Sequence, residues 1–288
     1  MTRWSLVLLL SGCMGVAQDA MPPTPGVPDD AGATQQLDAG IPDAGASPDA
    51  GIPDAGPTPD AGTPFEPSDG GTFFGASRCD SAFTVCDGFE GDTFDSALWV
   101  HYPPPAGSTA FARQDSTQVA RGSRALHLRS GVQVRAKQQW PWLENGFFLR
   151  VFMRWAQPIP DWHLTYIWVS APGETFTLGS YHNQFGMNEY GPNNGDTGVA
   201  SRDVLPVNRW VCVEWEVKPS AQEVHVWMDE QDVPAEPQNP FGVPNMHVTN
   251  WPPMAWRDFT LEFITAQNTD EMWMDELAIS STRIGCER

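Results

Sequence analysis

The sequence predicts an all-β fold of the sandwich or jelly-roll class, preceded by a long linker that lacks a core. Two observations support this prediction. Short runs of residues alternate between apolar and polar side chains, which is the period of a strand with one buried face. Clusters of Pro, Gly and Asn separate these runs and favour turns, and no run shows a sustained helical period.

The alternation is clearest in residues 147–155, where every odd position is apolar. In residues 210–217, apolar side chains share one face, and mostly charged side chains share the other. Residues 224–229 and 259–263 repeat the pattern. Further strands are expected near 84–90, 124–129, 132–138, 164–170, 174–182, 184–189 and 272–280. About ten short strands separated by turns are typical of a β-sandwich or jelly roll.

The first 12 residues have the pattern of a secretory signal peptide. Arg3 supplies a positive charge, and residues 4–10 form an apolar run that is too short to span a bilayer. The run Leu10-Ser11-Gly12-Cys13 resembles the bacterial lipobox, in which the cysteine becomes the acylated first residue of the mature chain. The resemblance implies a lipid anchor at Cys13 and a place in the cell envelope, at the outer membrane or cell surface. The alternative is an ordinary signal peptide with Cys13 near its cleavage site.

Residues 13–76 are predicted to form a disordered linker. Pro, Asp, Ala and Gly dominate this segment, which contains neither Lys nor Arg. Such a composition buries too little apolar surface to offset the conformational entropy of folding. The tripeptide Asp-Ala-Gly recurs, starting at Asp30, Asp38, Asp43, Asp49, Asp54 and Asp60. Its uneven spacing and intervening prolines do not fit calcium-binding repeats, so a spacer is the favoured interpretation.

The formal net charge of −20 argues against nucleic acid as a partner, because neutralising phosphates requires a basic surface. The linker carries part of this charge, and the remaining domain, residues 77–288, is still acidic. That domain is long enough to bury one sizeable core. We expect it to be a monomer that meets the membrane only through the lipid anchor.

Four cysteines lie in the domain, and an even number in an exported protein indicates two disulfides. A register argument favours Cys79–Cys286, because these residues fall opposite each other if the first and last strands are antiparallel. Cys86–Cys212 would then be the second bond. The local pairing, Cys79–Cys86 with Cys212–Cys286, stays open. A zinc site is disfavoured because the sequence has no Cys-x-x-Cys pair.

Three segments of the domain resemble known proteins. They are Cys86-Asp-Gly-Phe-Glu-Gly-Asp with Trp99, Asn208-Arg-Trp-Val-Cys-Val-Glu, and Met272-Trp-Met-Asp-Glu-Leu-Ala-Ile-Ser with Arg283-Ile-Gly-Cys. They are similar to uncharacterised lipoproteins of myxobacterial type and, more distantly, to concanavalin A-like jelly rolls. The latter include laminin G-like and polysaccharide lyase-like domains. The resemblance spans most of residues 79–288 and implies a concanavalin A-like β-sandwich.

The same resemblance implies a structural calcium ion. In many carbohydrate-binding jelly rolls, acidic residues of the first and last strands hold such an ion, and the matching positions are Glu90 and Asp275, with Asp92 nearby. Carboxylate oxygens from neighbouring strands suit calcium. The alternative is that these are ordinary acids at strand ends. No cofactor is required by any motif of the chain.

The function favoured by the sequence is binding of an extracellular or cell-wall polysaccharide. Sugars stack on flat aromatic rings, and the domain is rich in tryptophan. The candidate binding residues combine rings with nearby polar groups: Trp140, Trp142, His225, Trp227 and Asp229. Burial of these rings in the core is the alternative interpretation. A surface-displayed, protein-binding adhesive domain is an alternative function.

Cleavage of a polysaccharide is the remaining alternative. Glu214 and Glu216 lie two residues apart on one strand face, so their carboxyl groups could lie at the distance found in retaining glycosidases, although the Glu-x-Asp-x-x-Glu pattern of jelly-roll glucanases is absent. A lyase would need a base beside a charge neutraliser on the same sheet. The candidates for these roles are Tyr181, His182, Arg150 and Arg154. Ion pairs explain the charged residues without chemistry, and serine-nucleophile and phosphate-loop motifs are absent from the sequence.

Overall fold

The alternating runs pair into two antiparallel sheets, as the sequence predicts. The computed structural model describes residues 75–287 except 103, 105, 160–162, 192–194, 252–255 and 265–268. The predicted signal peptide, Cys13 and the linker up to residue 74 lie outside the described residues. Within the described ranges, regular structure consists of strands and two short 3-10 helices, Pro141–Asn145 and Pro219–Ala221. None of the helices in this part of the chain is long and apolar enough to cross a membrane.

The strands are β1 (Val85–Asp87), β2 (Trp99–Tyr102), β3 (Phe111–Asp115), β4 (Ala125–Arg129), β5 (Val132–Ala136), β6 (Phe147–Trp155), β7 (Leu164–Ala171), β8 (Glu174–Tyr181), β9 (Gln184–Gly191), β10 (Gly195–Val204), β11 (Val211–Lys218), β12 (Glu223–Met228), β13 (Gln231–Asp232), β14 (His247–Thr249), β15 (Asp258–Phe263) and β16 (Glu271–Ser280). Sheet A has the order β13-β12-β11-β6-β16-β4-β3, with β1 added to β16 and β14 to β12. Sheet B has the order β10-β9-β8-β7-β15-β5-β2.

Both sheets turn their apolar side chains toward one shared core, which confirms the predicted β-sandwich. On β11, Val211, Val213, Trp215 and Val217 are all buried in this core, in the predicted alternation. The ring of Trp215 lies 5.2 Å from that of Phe176 on sheet B. Burial of each large apolar side chain stabilises the fold by about 1.5–3 kcal/mol.

Several strands were not predicted, and β10 is the most important of them. Its sequence, Gly-Asp-Thr-Gly-Val-Ala-Ser-Arg-Asp-Val, places Gly and Asp where strands usually carry β-branched residues. It forms the end of sheet B beside β9, where fewer neighbouring side chains select for such residues. Its small residues Gly198 and Ala200 line a cleft on sheet B.

Chain segments outside the strands cover much of the outer face of sheet A. A second buried cluster forms there, consisting of Ala120, Ala125, Phe152, Trp210, Cys212, Trp273 and Cys286. The cluster joins the β3–β4 connection and the C-terminal segment to β6, β11 and β16. Side chains that alternate outward from sheet A are therefore largely removed from solvent.

Glu276 links these covering segments to the sheet. It has a φ of 51° at an irregularity of β16, and its side chain is fully buried. Its carboxylate accepts hydrogen bonds from Ser77 Oγ and from the Arg78 backbone N–H at 3.1 Å. Two fully buried guanidinium groups lie beside it, that of Arg121 at 3.5 Å and that of Arg150 at 3.4 Å. Burial, together with repulsion from Arg121, lowers the pKa of Arg150 to about 10.

The disulfides follow the local pairing, Cys79–Cys86 and Cys212–Cys286. The favoured prediction of Cys79–Cys286 with Cys86–Cys212 is therefore wrong. The chain turns at Asp80, whose Oδ1 accepts the Ala82 N–H at 2.7 Å, and this turn brings Cys79 back to Cys86. The C-terminal segment crosses toward β11 instead of continuing past β1.

Removing the long-range disulfide is expected to cost more stability than removing the local one. Cys212–Cys286 spans a sequence separation of 74 residues, and Cys79–Cys86 spans 7. In the chain-entropy model this difference corresponds to about 2 kcal/mol. Alanine double variants of each pair, compared by urea unfolding, should differ by that amount. Equal losses in the two variants would contradict the entropic explanation.

Candidate functional site

A cleft of about 360 Å³ opens on the outer face of sheet B, over β7, β8, β9 and β10. Its floor consists of residues with little or no side chain. Gly179 of β8 pairs with Gly186 of β9, which pairs with Ala200 of β10. In the adjacent row, Asn188 pairs with Gly198. Because directly paired residues point to the same face, these positions form one continuous floor on which a ligand can approach the backbone.

Three aromatic rings line this floor, and they belong to His163, Tyr181 and Tyr190. The His163 ring centroid lies 4.8 Å from that of Tyr181 and 6.2 Å from that of Tyr190. These separations are those of contacting rings. The cluster therefore offers flat apolar surface with hydroxyl and imidazole groups at its edges.

The opposite wall of the cleft is a segment held by backbone hydrogen bonds. Glu236 N–H donates to the Ala200 carbonyl of β10 at 2.9 Å, which fixes the segment beside the floor. Asn239 closes the segment on itself, because its Nδ2 donates to the carbonyls of Glu236 at 2.6 Å and Val243 at 2.8 Å. This wall, with Gln238, is therefore preorganised and polar.

Few charged groups face the cleft. Among its described lining residues, Glu236 is the carboxyl group and His163 the imidazole, and neither Arg nor Lys is present. Amide, hydroxyl and phenol groups supply the remaining polar contacts. The cleft therefore suits an uncharged ligand rich in hydroxyl groups.

The family model described as polysaccharide lyase-like, Cip1-like core domain, matches residues 88–282. The chain belongs to this Cip1-like family. The domain is accordingly a carbohydrate-related jelly roll of the concanavalin A-like type, as the sequence resemblance implies.

Among solved structures, the cellulose-induced protein Cip1 is 15% identical, with a TM-score of 0.52 over 70% of this chain and 99% of that chain. Domain 4 of AbnA, an extracellular arabinanase of the GH43 class from Geobacillus stearothermophilus solved with arabinotriose, is 14% identical. Its TM-score is 0.48 over 68% of this chain and 91% of that chain. No curated protein shows significant similarity to the chain.

Of the predicted binding residues, Trp140 and Trp142 do not line the cleft of this Cip1-like domain. Trp140 is buried in the core, 5.2 Å from the ring of Phe259. Trp142 is partly buried and stacks on Trp140 at 5.6 Å. Their rings therefore pack the sandwich, as the alternative interpretation proposed.

The predicted residues His225, Trp227 and Asp229 belong to sheet A and its β12–β13 turn, away from the cleft strands of sheet B. The Arg283 guanidinium carbon lies 4.0 Å from the Trp227 ring centroid, so the C-terminal segment covers this tryptophan. Burial and the neighbouring His247 lower the pKa of His225. Asp229 Oδ1 accepts the Cys212 N–H at 2.9 Å, so it orients the backbone of β11.

The predicted catalytic acids make internal contacts. Glu214 Oε2 accepts from Arg283 at 2.8 Å, and Oε1 accepts the Gly285 N–H at 2.8 Å. Glu216 is buried and pairs with Lys218. Both carboxylates lie on the covered outer face of sheet A, where ion pairing explains their presence.

The predicted lyase arrangement required a base and an arginine on one sheet, and this placement is wrong. Tyr181 ends β8 of sheet B, and His182 follows it in an exposed turn. Arg150 and Arg154 lie on β6 of sheet A, because β6 pairs with β11 and β16. Of these four residues, only Tyr181 lines the cleft.

The predicted calcium residues Asp275 and Glu90 accept hydrogen bonds from protein groups. Asp275 Oδ2 accepts the backbone N–H groups of Ala120 at 2.8 Å and Arg121 at 3.0 Å, and burial raises the pKa of Asp275 well above its usual value. Glu90 Oε2 accepts the Ser123 N–H at 2.9 Å and its hydroxyl at 2.6 Å. In the described part of the chain, no group of three His, Cys, Asp or Glu side chains could hold a metal.

Most of the cleft residues were not predicted from the sequence, namely His163, Thr177, Asn188, Tyr190 and Glu236. A signal was present in β8 and β9. Their outward positions follow the patterns Thr-x-Gly-x-Tyr, residues 177–181, and Gly-x-Asn-x-Tyr, residues 186–190. Polar and glycine residues on the solvent face of a strand, followed by an aromatic ring, indicate an open floor with an aromatic edge.

Proposed function

We propose that this domain binds a polysaccharide in the cleft on sheet B, and that the protein is displayed from the cell envelope through a lipid anchor. The observation that supports binding is the floor formed by Gly179, Gly186 and Gly198, bordered by the cluster of His163 and Tyr181. A sugar chain can lie on such a floor, stack its C–H faces on the rings and bond to the polar walls. Membership of the Cip1-like family supports a carbohydrate-related role.

The first test is affinity electrophoresis of the purified full-length protein in detergent, through gels that contain neutral or acidic polysaccharides. Each gel is run with calcium and with a chelator, because calcium remains an expectation from sequence resemblance. Selective retardation by one polysaccharide is the expected result. Free migration in every gel would contradict the proposal and favour the protein-binding alternative, which capture of a partner in the presence of excess sugar would support.

Cleavage is a second candidate function because two titratable rings, those of His163 and Tyr181, lie 4.8 Å apart in the cleft. Rings in this position can exchange protons with a bound sugar. Products of any polysaccharide that binds should therefore be analysed for new reducing ends and for unsaturated ends. Binding with an intact polymer would limit the function to recognition.

A Cys13→Ala variant is expected to move the protein from the membrane fraction to the soluble fraction, because the acyl chains attached to Cys13 would be lost. Immunoblots of fractionated cells expressing the natural and variant chains measure this change. Ser11→Ala is the control, since it keeps a small residue before the cysteine. Membrane retention of the Cys13 variant would contradict the lipid anchor.

A further inference from the structure

The outer face of sheet B continues beyond the cleft. Thr177, which lines the cleft, pairs with Trp168 of β7. Trp168 pairs with Thr260 of β15, and Thr260 pairs with Arg135 of β5. Since paired residues share a face, Trp168 and Arg135 point to the same side as the cleft. Three strand spacings of about 4.8 Å separate Thr177 from Arg135, which is roughly 14 Å.

Arg135 lies between two aromatic rings on this face. Its guanidinium carbon is 5.2 Å from the Tyr102 ring centroid and 5.6 Å from the Trp168 ring centroid. Tyr102 is 50% exposed, so its ring is accessible to a ligand on this face. The Arg135 Nη2 donates to Gln133 Oε1 at 2.9 Å, which orients the planar group.

Arg135 forms no ion pair within 4.0 Å in the described part of the chain; burial raises the pKa of the nearby Glu262, and the charge of Arg135 acts against that rise. The exposed residues Arg113 and Arg202 each form an ion pair at 3.1–3.2 Å, whereas no ion pair among the described residues includes Arg135. The nearby Glu262 instead accepts hydrogen bonds from Gln133 and, at 3.2 Å, from Trp168 Nε1. In an acidic protein, an exposed arginine held between rings is a site for an anion.

We infer that Tyr102, Arg135 and Trp168 form a second subsite, which binds an anionic substituent of a polysaccharide whose uncharged sugars occupy the cleft. The inference rests on the proposed function. The substituent is a carboxylate or a sulfate ester, since the guanidinium bonds to either through paired N–H groups. The subsite selects chains that carry negative charge at a spacing of about 14 Å from the cleft.

The test uses matched polysaccharides that differ only in charge. A uronate polysaccharide is compared with its carboxyl-reduced form, and a sulfated polysaccharide with its desulfated form, by affinity electrophoresis of the full-length protein in detergent. One charged form should bind about tenfold more tightly than its uncharged form, the size expected for hydrogen bonds to a charged group. The pair that shows the difference identifies the substituent.

The Arg135→Gln variant should lose this difference and bind both forms as the natural protein binds the uncharged one. Arg113→Gln is the matched control, because it removes an exposed arginine from sheet A. A thermal unfolding curve verifies that both variants are folded. Charged and uncharged forms that bind equally, or an Arg135→Gln variant that retains the preference, would overturn the subsite while leaving the cleft proposal intact. A lack of binding to every polymer would overturn both.

Discussion

Replacing Gly186 with valine is expected to weaken polysaccharide binding by about 10- to 100-fold while the domain stays folded. A Cβ at this position would meet its nearest atoms at 3.8 Å, which is ordinary contact, and the backbone conformation does not require glycine. The side chain therefore fits the sheet and projects into the floor of the cleft. Excluding a ligand from that volume costs about 1–3 kcal/mol, as overpacking does elsewhere. Affinity electrophoresis in a gel that contains the polysaccharide that retards the natural protein measures the effect.

The neighbouring Gly179 supplies the contrasting variant. A Cβ at Gly179 would lie 1.7 Å from the Leu164 carbonyl oxygen of β7, so alanine there must displace backbone. Gly179→Ala is expected to lower the melting temperature, whereas Gly186→Val should leave it nearly unchanged. Full binding by a folded Gly186→Val protein would show that the ligand does not occupy this cleft.

Replacing Glu276 with glutamine is expected to lower the free energy of unfolding by about 3–5 kcal/mol, the typical result of breaking a buried ion pair. The carboxylate is the negative group between Arg121 and Arg150, which are both fully buried. Glutamine keeps the volume but removes the carboxylate charge that pairs with both buried guanidinium groups. The segment containing Ser77 and Arg78 also loses its charged acceptor.

Urea unfolding of the natural and variant proteins measures this loss. Glu144→Gln is the control, because Glu144 forms a half-exposed pair with Arg257 at 3.9 Å, and such pairs contribute about 0–1 kcal/mol. Similar losses of unfolding free energy in the two variants would show that the charge of Glu276 contributes little to stability. The position of the cleft on the other sheet predicts that polysaccharide binding survives in Glu276→Gln at low temperature.

The strands that were predicted best are those with strict alternation. The runs at 147–155 and 210–217 correspond to β6 and β11, which lie next to each other in the centre of sheet A. Their apolar faces are buried because a two-residue period admits only one arrangement against a core. The strand β10 was not predicted because it lies at the end of sheet B and has glycines at positions where strands usually carry β-branched or aromatic residues.

The cleft residues were missed for a different reason. Tyr181 was identified from a polar run, but His163 precedes β7 and Tyr190 lies on β9. Strand pairing places the rings of Tyr181 and Tyr190 at 4.8 and 6.2 Å from the His163 ring. The distance between residues along the chain does not show which strands will pair, so it does not show which rings will meet. The disulfides failed similarly, because a turn at Asp80 and the path of the C-terminal segment decide which sulfurs meet.

The sequence by itself determined the all-β class, the residues that share a strand face and the acidic balance that disfavours nucleic acid, since these depend on local period and composition. Only the tertiary structure decided which outward face is open. Trp227 and Glu214 alternate outward as clearly as Tyr181 does, yet Arg283 of the C-terminal segment covers them. Period two specifies that side chains share a face, and the packing of distant segments determines whether that face reaches solvent.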